Sequence, residues 1–326
     1  MKNIWKLWLA SALAVFLLAA CGGTATEEKP EVDETAQEEV EDSAGTEESL
    51  YPLTINDAVG EDITVEAAPA TIISMIPSNT EILFALGLEN EVIAVTDNDD
   101  YPAEVVDKES IGGYEFNIEK IISLNPEMVF AHEMVVGSGG EGINQIREAG
   151  IPVIVVPNAE NFDATYETIE MIGQVTDKVE EANEIVEEMK AKIEGIVEKT
   201  ATVEQEKTVF VETSPAPEIY TPGQGTFMQE MLDMIGAKNM VTEEDWIMID
   251  AEEIVNQNPD VIIVMYDFID TAVEDVYARP GFDTITAIQN KQVVQVDENL
   301  TSRTGPRLAE GLEAIARAIY PEVFSE

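Results

Sequence analysis

The sequence predicts an α/β fold of two lobes, each with a parallel-type sheet flanked by helices, joined by one long backbone helix. Three observations predict it. From residue 71 onward, short β-branched apolar runs alternate with amphipathic stretches, the rhythm of βαβ units. One helical stretch without proline, residues 177–200, divides that alternation in two. A fifteen-residue phrase recurs across the divide: residues 118–132 read IEKIISLNPEMVFAH and residues 251–265 read AEEIVNQNPDVIIVM.

The elements follow in order. Residues 71–76 (TIISMI) are β-branched and apolar, as in a strand covered on both faces, and break at Pro77. Ser78-Asn79-Thr80-Glu81 has the spacing of a capping box, opening a helix that runs to Leu86 and stops at Gly87. Residues 92–96 read as a strand, 97–102 (DNDDYP) as a loop, 118–124 as a short helix and 128–132 as a strand. A flexible glycine loop at a cleft mouth is expected next, then a helix over 142–149 and a strand over 153–156. Within 177–200, Val179, Ala182, Val186, Met189, Ile193 and Ile196 recur at steps of three and four, one apolar stripe opposite a Glu- and Lys-rich face. At ~1.5 Å per residue this is a rod of roughly 30 Å. Strands at 208–212, 261–265 and 293–296 and helices at 227–235 and 305–319 then restart the rhythm. Leu86-Gly87-Leu88-Glu89-Asn90 and Ile235-Gly236-Ala237-Lys238-Asn239 precede the two copies of the phrase in the same order, which implies two lobes of like build. The expected boundaries are an N-terminal lobe over 51–160, a helical linker over 161–200 and a C-terminal lobe over 201–326.

Residues 1–20 read as a signal peptide: Lys2 and Lys6 precede an apolar run over 7–20, short for a membrane span. Leu18-Ala19-Ala20-Cys21-Gly22 resembles a bacterial lipobox, with Cys21 as the lipidated mature N-terminus. Cys21 is the only cysteine, so no disulfide staples the fold. Residues 21–50, rich in acids and small polar residues, read as a disordered tether. The chain carries 66 acidic against 17 basic residues, a net charge of −49. Such a chain repels phosphates, which excludes a nucleic-acid partner.

Candidate chemistry is sparse. Gly137, Gly139 and Gly142 satisfy G-x-G-x-x-G, but the match sits late in the sheet and four residues past its strand, so it reads as a loop and not as a nucleotide site. His132 is the only histidine, too few for a transition-metal site; it ends a strand, where it serves as a hydrogen-bonded structural group, as a ligand contact or as an axial haem ligand. Trp246, with Tyr114, Tyr220 and Tyr266, is a candidate aromatic wall for a large ligand, or part of the core. Arg279 and Arg303, scarce bases in expected loops, are candidates either for an anionic ligand group or for pairing with the abundant carboxylates.

Taken together, TIISMIPSNTEILFALGLENEVIAVTDNDDYP, NIEKIISLNPEMVFAH, YTPGQGTFMQEMLDMIGAKN, AEEIVNQNPDVIIV, ARPGFDTI and TGPRLAEGLEAIARAIYPE resemble the helical-backbone (class III) periplasmic binding proteins, over nearly all of residues 70–322. The resemblance implies a non-enzymatic lipoprotein receptor of an ABC importer, monomeric and anchored on the extracytoplasmic face of the cell membrane. It would take an iron–siderophore or cobalamin-type chelate between its lobes and deliver it to a permease dimer with its ATPase, with no cofactor or protein-held metal of its own. The alternatives are a haem receptor of the same fold or a secreted enzyme using the glycine loop. The expected ligand contacts are Ser78, Asn79, Asn98, Tyr114, His132, Tyr220, Trp246, Tyr266, Arg279 and Arg303. Asn98 and His132 stand where cobalamin binders carry aromatic residues, whereas Trp246 matches one. Glu119 and Glu252, at the second position of the two repeats, match the glutamates that dock onto permease arginines in this family.

Overall fold

An antiparallel hairpin, β1 (Leu53–Asn56) and β2 (Asp62–Val65), opens the computed structural model, which describes residues 50–324. The signal peptide, Cys21 and all but the last residue of the tether lie outside the described residues. Then follow β3 (Ile72–Ser74), α1 (Pro77–Ala85), β4 (Val92–Val95), β5 (Glu109–Ser110), α2 (Ile118–Leu124), β6 (Met128–His132), α3 (Glu133–Glu148) and β7 (Val153–Val156). Two helices, α4 (Phe162–Val175) and α5 (Val179–Thr200), carry the chain to the second half. There it forms β8 (Thr208–Glu212), β9 (Tyr220–Pro222), α6 (Phe227–Met234), β10 (Lys238–Asn239), β11 (Trp246–Met248), α7 (Ala251–Gln257) and β12 (Val261–Val264). The chain closes with α8 (Ala272–Ala278), α9 (Thr286–Gln289), β13 (Val293–Gln295), α10 (Glu298–Ser302) and α11 (Leu308–Ile319).

Two parallel sheets result, in the orders β5-β4-β3-β6-β7 and β10-β8-β12-β13, while β9 and β11 pair as a separate antiparallel ribbon. The inner strands are mostly apolar because both faces are covered, and their polar residues, Ser74, His132, Thr208 and Glu212, stand at strand ends. Alternate residues go to different cores, as the two-residue strand period requires. Met128 and Phe130 of β6, Val209 and Val211 of β8, and Val261 and Ile263 of β12 share one core with the stripe of α5. Val129 and Ala131 face a separate core under α2 and α3, and Phe210, Ile262 and Val264 another under α7 and α8. The α5 stripe holds from its second member on: Ala182, Val186, Met189, Ile193 and Ile196 are all buried, while Val179, at the helix start, is half-buried. Both sheets thus reach one continuous apolar body through the linking helices.

The repeated phrase is a repeated structure. In each copy a seven-residue helix, α2 or α7, ends on an asparagine in the left-handed region, Asn125 at φ 46° and Asn258 at φ 52°. Asparagine tolerates that conformation better than other side-chain-bearing residues, and the proline after it cannot continue the helix. The chain then enters an inner strand, β6 between β3 and β7, or β12 between β8 and β13.

Two expectations change. The glycine run is not a loop: α3 starts at Glu133 and carries Gly137, Gly139, Gly140 and Gly142 within it. Each glycine costs a helix about 1 kcal/mol relative to alanine, and packing offsets this. A Cβ on Gly142 would lie 2.6 Å from Ile118 Cδ1, so the bare backbone lets α2 and α3 close up. The capping box does not form either: α1 starts with Pro77 at its first position and no side chain caps it. Glu81 is instead turned to arginines of the chain's C-terminal part, as described below. The β1–β2 hairpin carries little signal in the sequence, because its alternation, LTIN and DITV, is only four residues long on each side.

Candidate ligand-binding cleft

A cleft of about 540 Å³ opens at the carboxyl ends of the parallel strands. Its walls come from both sheets: residues 76–78 beyond β3, His132 ending β6, residues 158–160 beyond β7, and Met265 beyond β12. The first turn of α6, Trp246 of β11 and the end of α10 complete it. In parallel sheets this edge is where ligands bind, since the loops there are free to diverge while the strands hold their positions. Two large apolar side chains on the walls stay open to solvent, Met134 at 69 % and Trp246 at 55 %. Phe227, also lining the cleft, packs against Phe162 in a tilted arrangement with ring centroids 5.0 Å apart. On a chain this acidic, apolar groups gathered at one concavity point to a ligand.

His132 sits at the back of the cleft. Only 2 % of it is exposed, and its Nδ1 accepts the backbone N–H of Met134 at 3.2 Å, capping α3. Burial pushes the imidazole down to about 4, against a weaker upward pull from Glu133, so the ring is neutral at pH 7.

Arg303 lines the cleft with its charge engaged. Its Nη1 donates to Glu81 Oε1 at 2.9 Å and to Asp100 Oδ1 at 2.5 Å. Arg307 donates Nε to Glu81 Oε2 at 2.8 Å and Nη2 to Glu81 Oε1 at 2.6 Å, and lies over the Tyr101 ring at 3.7 Å. Asn299 donates to Asp100 Oδ2 at 2.9 Å. The cluster ties α1 and the 97–102 loop to α10 and the start of α11. Glu160 and Asp245 also line the cleft. Among the described residues no group of three or more His, Cys, Asp or Glu is placed to hold a metal ion.

Residues 72–300 match the model of the periplasmic binding protein family. The chain belongs to that family. Members are extracytoplasmic solute-binding proteins, not enzymes, and carry a transported ligand in place of a cofactor. The uncharacterized ABC transporter substrate-binding lipoprotein YvrC of Bacillus subtilis is 41% identical over 100% of both chains. A cobalamin-binding protein of Halobacterium salinarum is 25% identical over 83% of this chain and 74% of its own. The crystal structure of a possible iron-binding (periplasmic solute-binding) protein from Staphylococcus epidermidis superposes with a TM-score of 0.72 at 36% identity, covering 77% of this chain and 99% of that one.

In this binding protein the cleft gathers four of the ten expected contacts: Ser78, His132, Trp246 and Arg303. The other six lie elsewhere. Asn79 is fully buried and donates Nδ2 to the Ala131 carbonyl at 2.9 Å, holding α1 to β6. Tyr266 donates its hydroxyl to Glu212 Oε1 at 2.8 Å. Arg279 grips the same carboxylate through both terminal nitrogens at 2.7 and 2.8 Å and stacks on Phe282. Burial first, then the Glu212 charge, holds the Tyr266 hydroxyl well above its ordinary pKa. Tyr114 and Tyr220 are exposed away from the cleft lining. Asn98 is exposed too, and its carbonyl accepts Arg303 Nη2 at 3.4 Å. Met134, Asn158 and Phe227 line the cleft without having been singled out. Their signal is position, since each directly follows a strand end or opens a helix at the same edge. Glu119 and Glu252 are exposed in the first turns of α2 and α7. Among the described residues no helix is long and apolar enough to cross a membrane.

Proposed function

We propose that this protein captures an iron–siderophore or cobalamin-type metal chelate between two lobes and hands it to an ABC permease. As an ABC-transporter substrate-binding protein it binds a small ligand and works with a permease and an ATPase. The chelate is the finer reading, and the cleft carries it. An open, mostly apolar concavity of about 540 Å³ at the strand ends, walled by Trp246 and Met134, suits a bulky ligand with both apolar and oxygen-bearing surface. Relatives of both the cobalamin-binding and the iron-binding kind support the same class.

In this reading the lobes span 51–160 and 201–326, linked through 161–200, and Ser78, His132, Trp246 and Arg303 contact the ligand. Glu119 and Glu252 each head the short helix of one repeat, so each lobe offers one exposed carboxylate to a two-sided permease. Cys21 carries the lipid, residues 21–50 form the tether, and the receptor acts as a monomer. Fluorescence titration tests the ligand class, because Trp246 is the only tryptophan beyond residue 8. A ferric hydroxamate siderophore or cyanocobalamin is expected to quench Trp246 saturably. No saturable quenching by either, up to millimolar concentration, overturns the proposal.

A further inference from the structure

The protonation geometry of His132 decides what the back of the cleft offers a ligand. A neutral imidazole has one N–H and one lone pair, on different nitrogens. Here the Nδ1 lone pair is already occupied, because Nδ1 accepts the Met134 backbone N–H at 3.2 Å and so caps the first turn of α3. The proton must then sit on Nε2. That nitrogen makes no hydrogen bond to another described residue, and it is absent from the buried side-chain atoms that are sealed off without a partner. Nε2 therefore meets the cleft that His132 lines.

From this geometry we infer that His132 presents a hydrogen-bond donor, Nε2–H, to the cleft and withholds its lone pair, so that it reads an oxygen acceptor on the ligand and does not coordinate the ligand's metal. The inference rests on the chelate reading above and adds a selectivity rule to it. A metal ligand at Nε2 needs the opposite tautomer, with the proton on Nδ1. Switching would turn Nδ1–H against the Met134 N–H and leave the start of α3 uncapped. With only 2 % of His132 exposed, the surrounding atoms leave the ring little room to turn away. The occupant is then a chelate whose metal is already enclosed by its own ligands and whose periphery carries a carbonyl, amide or carboxylate oxygen facing His132. Ser78 and Arg303 add further donors on the same walls, though the Arg303 nitrogens are partly used by Glu81 and Asp100.

Because the chain has one histidine, nitrogen-15 NMR of the imidazole reads this site alone. In the ligand-free protein at pH 7 a single neutral Nε2–H tautomer is expected. A Nδ1–H tautomer or an imidazolium at that pH overturns the inference, whatever the ligand proves to be. The same spectrum is then taken with two diamagnetic probes, a gallium hydroxamate siderophore and cyanocobalamin. With a probe that binds, the Nε2 proton is expected to persist with a changed shift, and loss of that proton to a metal-bound nitrogen overturns the inference. Binding of neither probe sinks the chelate reading, while the tautomer result still stands or falls by itself. As a second readout, His132→Phe is expected to weaken binding of the responding probe on the order of tenfold. His132→Asn, which keeps both an acceptor for Met134 and a donor, is expected to weaken it less. Equal losses in the two variants argue against the donor role.

Discussion

Replacing Arg279 by methionine separates two roles for that residue, a ligand contact and a buried counter-ion. Glu212 closes β8 with its side chain at 0 % exposure, and the Arg279 side chain is 8 % exposed. The carboxylate accepts three hydrogen bonds: two from Arg279 at 2.7 and 2.8 Å and one from Tyr266 at 2.8 Å. Arg279→Met removes two of the three and all of the compensating charge. Breaking one side of a buried pair costs about 3–5 kcal/mol, because the remaining ion has neither water nor a partner. A body of about 275 residues unfolds with an entropy of about 0.6 kcal/mol/K, so the thermal midpoint is expected to fall by roughly 5–9 °C. Urea unfolding measures the loss without changing ionic strength. Adding Glu212→Gln removes the stranded charge and keeps an acceptor for Tyr266, so the double variant is expected to recover at least half of the loss. A loss under about 1 kcal/mol, or a double variant no better than the single, refutes the counter-ion role. Intact stability with lost ligand affinity would instead put Arg279 on the ligand.

His132 makes folding pH-dependent in a known direction. Its folded value of about 4 lies below the ordinary 6.5, so between these values the unfolded chain holds the extra proton and stability rises with pH. The contribution is complete above about pH 6.5 and is lost as pH falls toward 4. Wild type is therefore expected to lose about 3 kcal/mol more than His132→Asn between pH 7 and 4, and parallel urea curves for the two proteins would contradict this. Along α3, Gly137→Ala meets no atom within 4 Å and is expected to stabilise by about 0.5–1 kcal/mol. Gly142→Ala drives a Cβ to 2.6 and 2.9 Å from Ile118 and is expected to destabilise by ~1 kcal/mol or more, with thermal melts separating the two. Reversing both docking carboxylates, Glu119→Arg with Glu252→Arg, is expected to stop uptake into cells while ligand quenching of Trp246 survives, and retained uptake defeats the docking role.

Much of this fold is legible along the chain because its cause is local. The inner strands declare themselves by uninterrupted β-branched apolar runs, which only a doubly covered parallel sheet can bury. The α5 stripe declares itself by its spacing. The repeated phrase declares itself because asparagine and proline both stop a helix by their own backbone preferences. The bounds of α2, β6, β7 and β8 coincide with those read from sequence.

What tertiary structure alone decided concerns partners distant in sequence. Glu81 looks like a cap at the start of a helix, yet it is claimed by Arg303 and Arg307, more than two hundred residues on, since two guanidinium groups outbid a local backbone amide. Tyr266 and Arg279 look like ligand groups and turn out to enclose Glu212, because a carboxylate buried at a strand end must be neutralised by whatever donors reach it. The glycines of α3 read as a loop by propensity, yet they lie within a helix, where the bare backbone of Gly142 is what the close approach of α2 requires. His132 was visible from the start as the one histidine ending a strand. That its lone pair faces the helix and its N–H faces the cleft follows from a single backbone amide at 3.2 Å, a contact set by how α3 leaves β6.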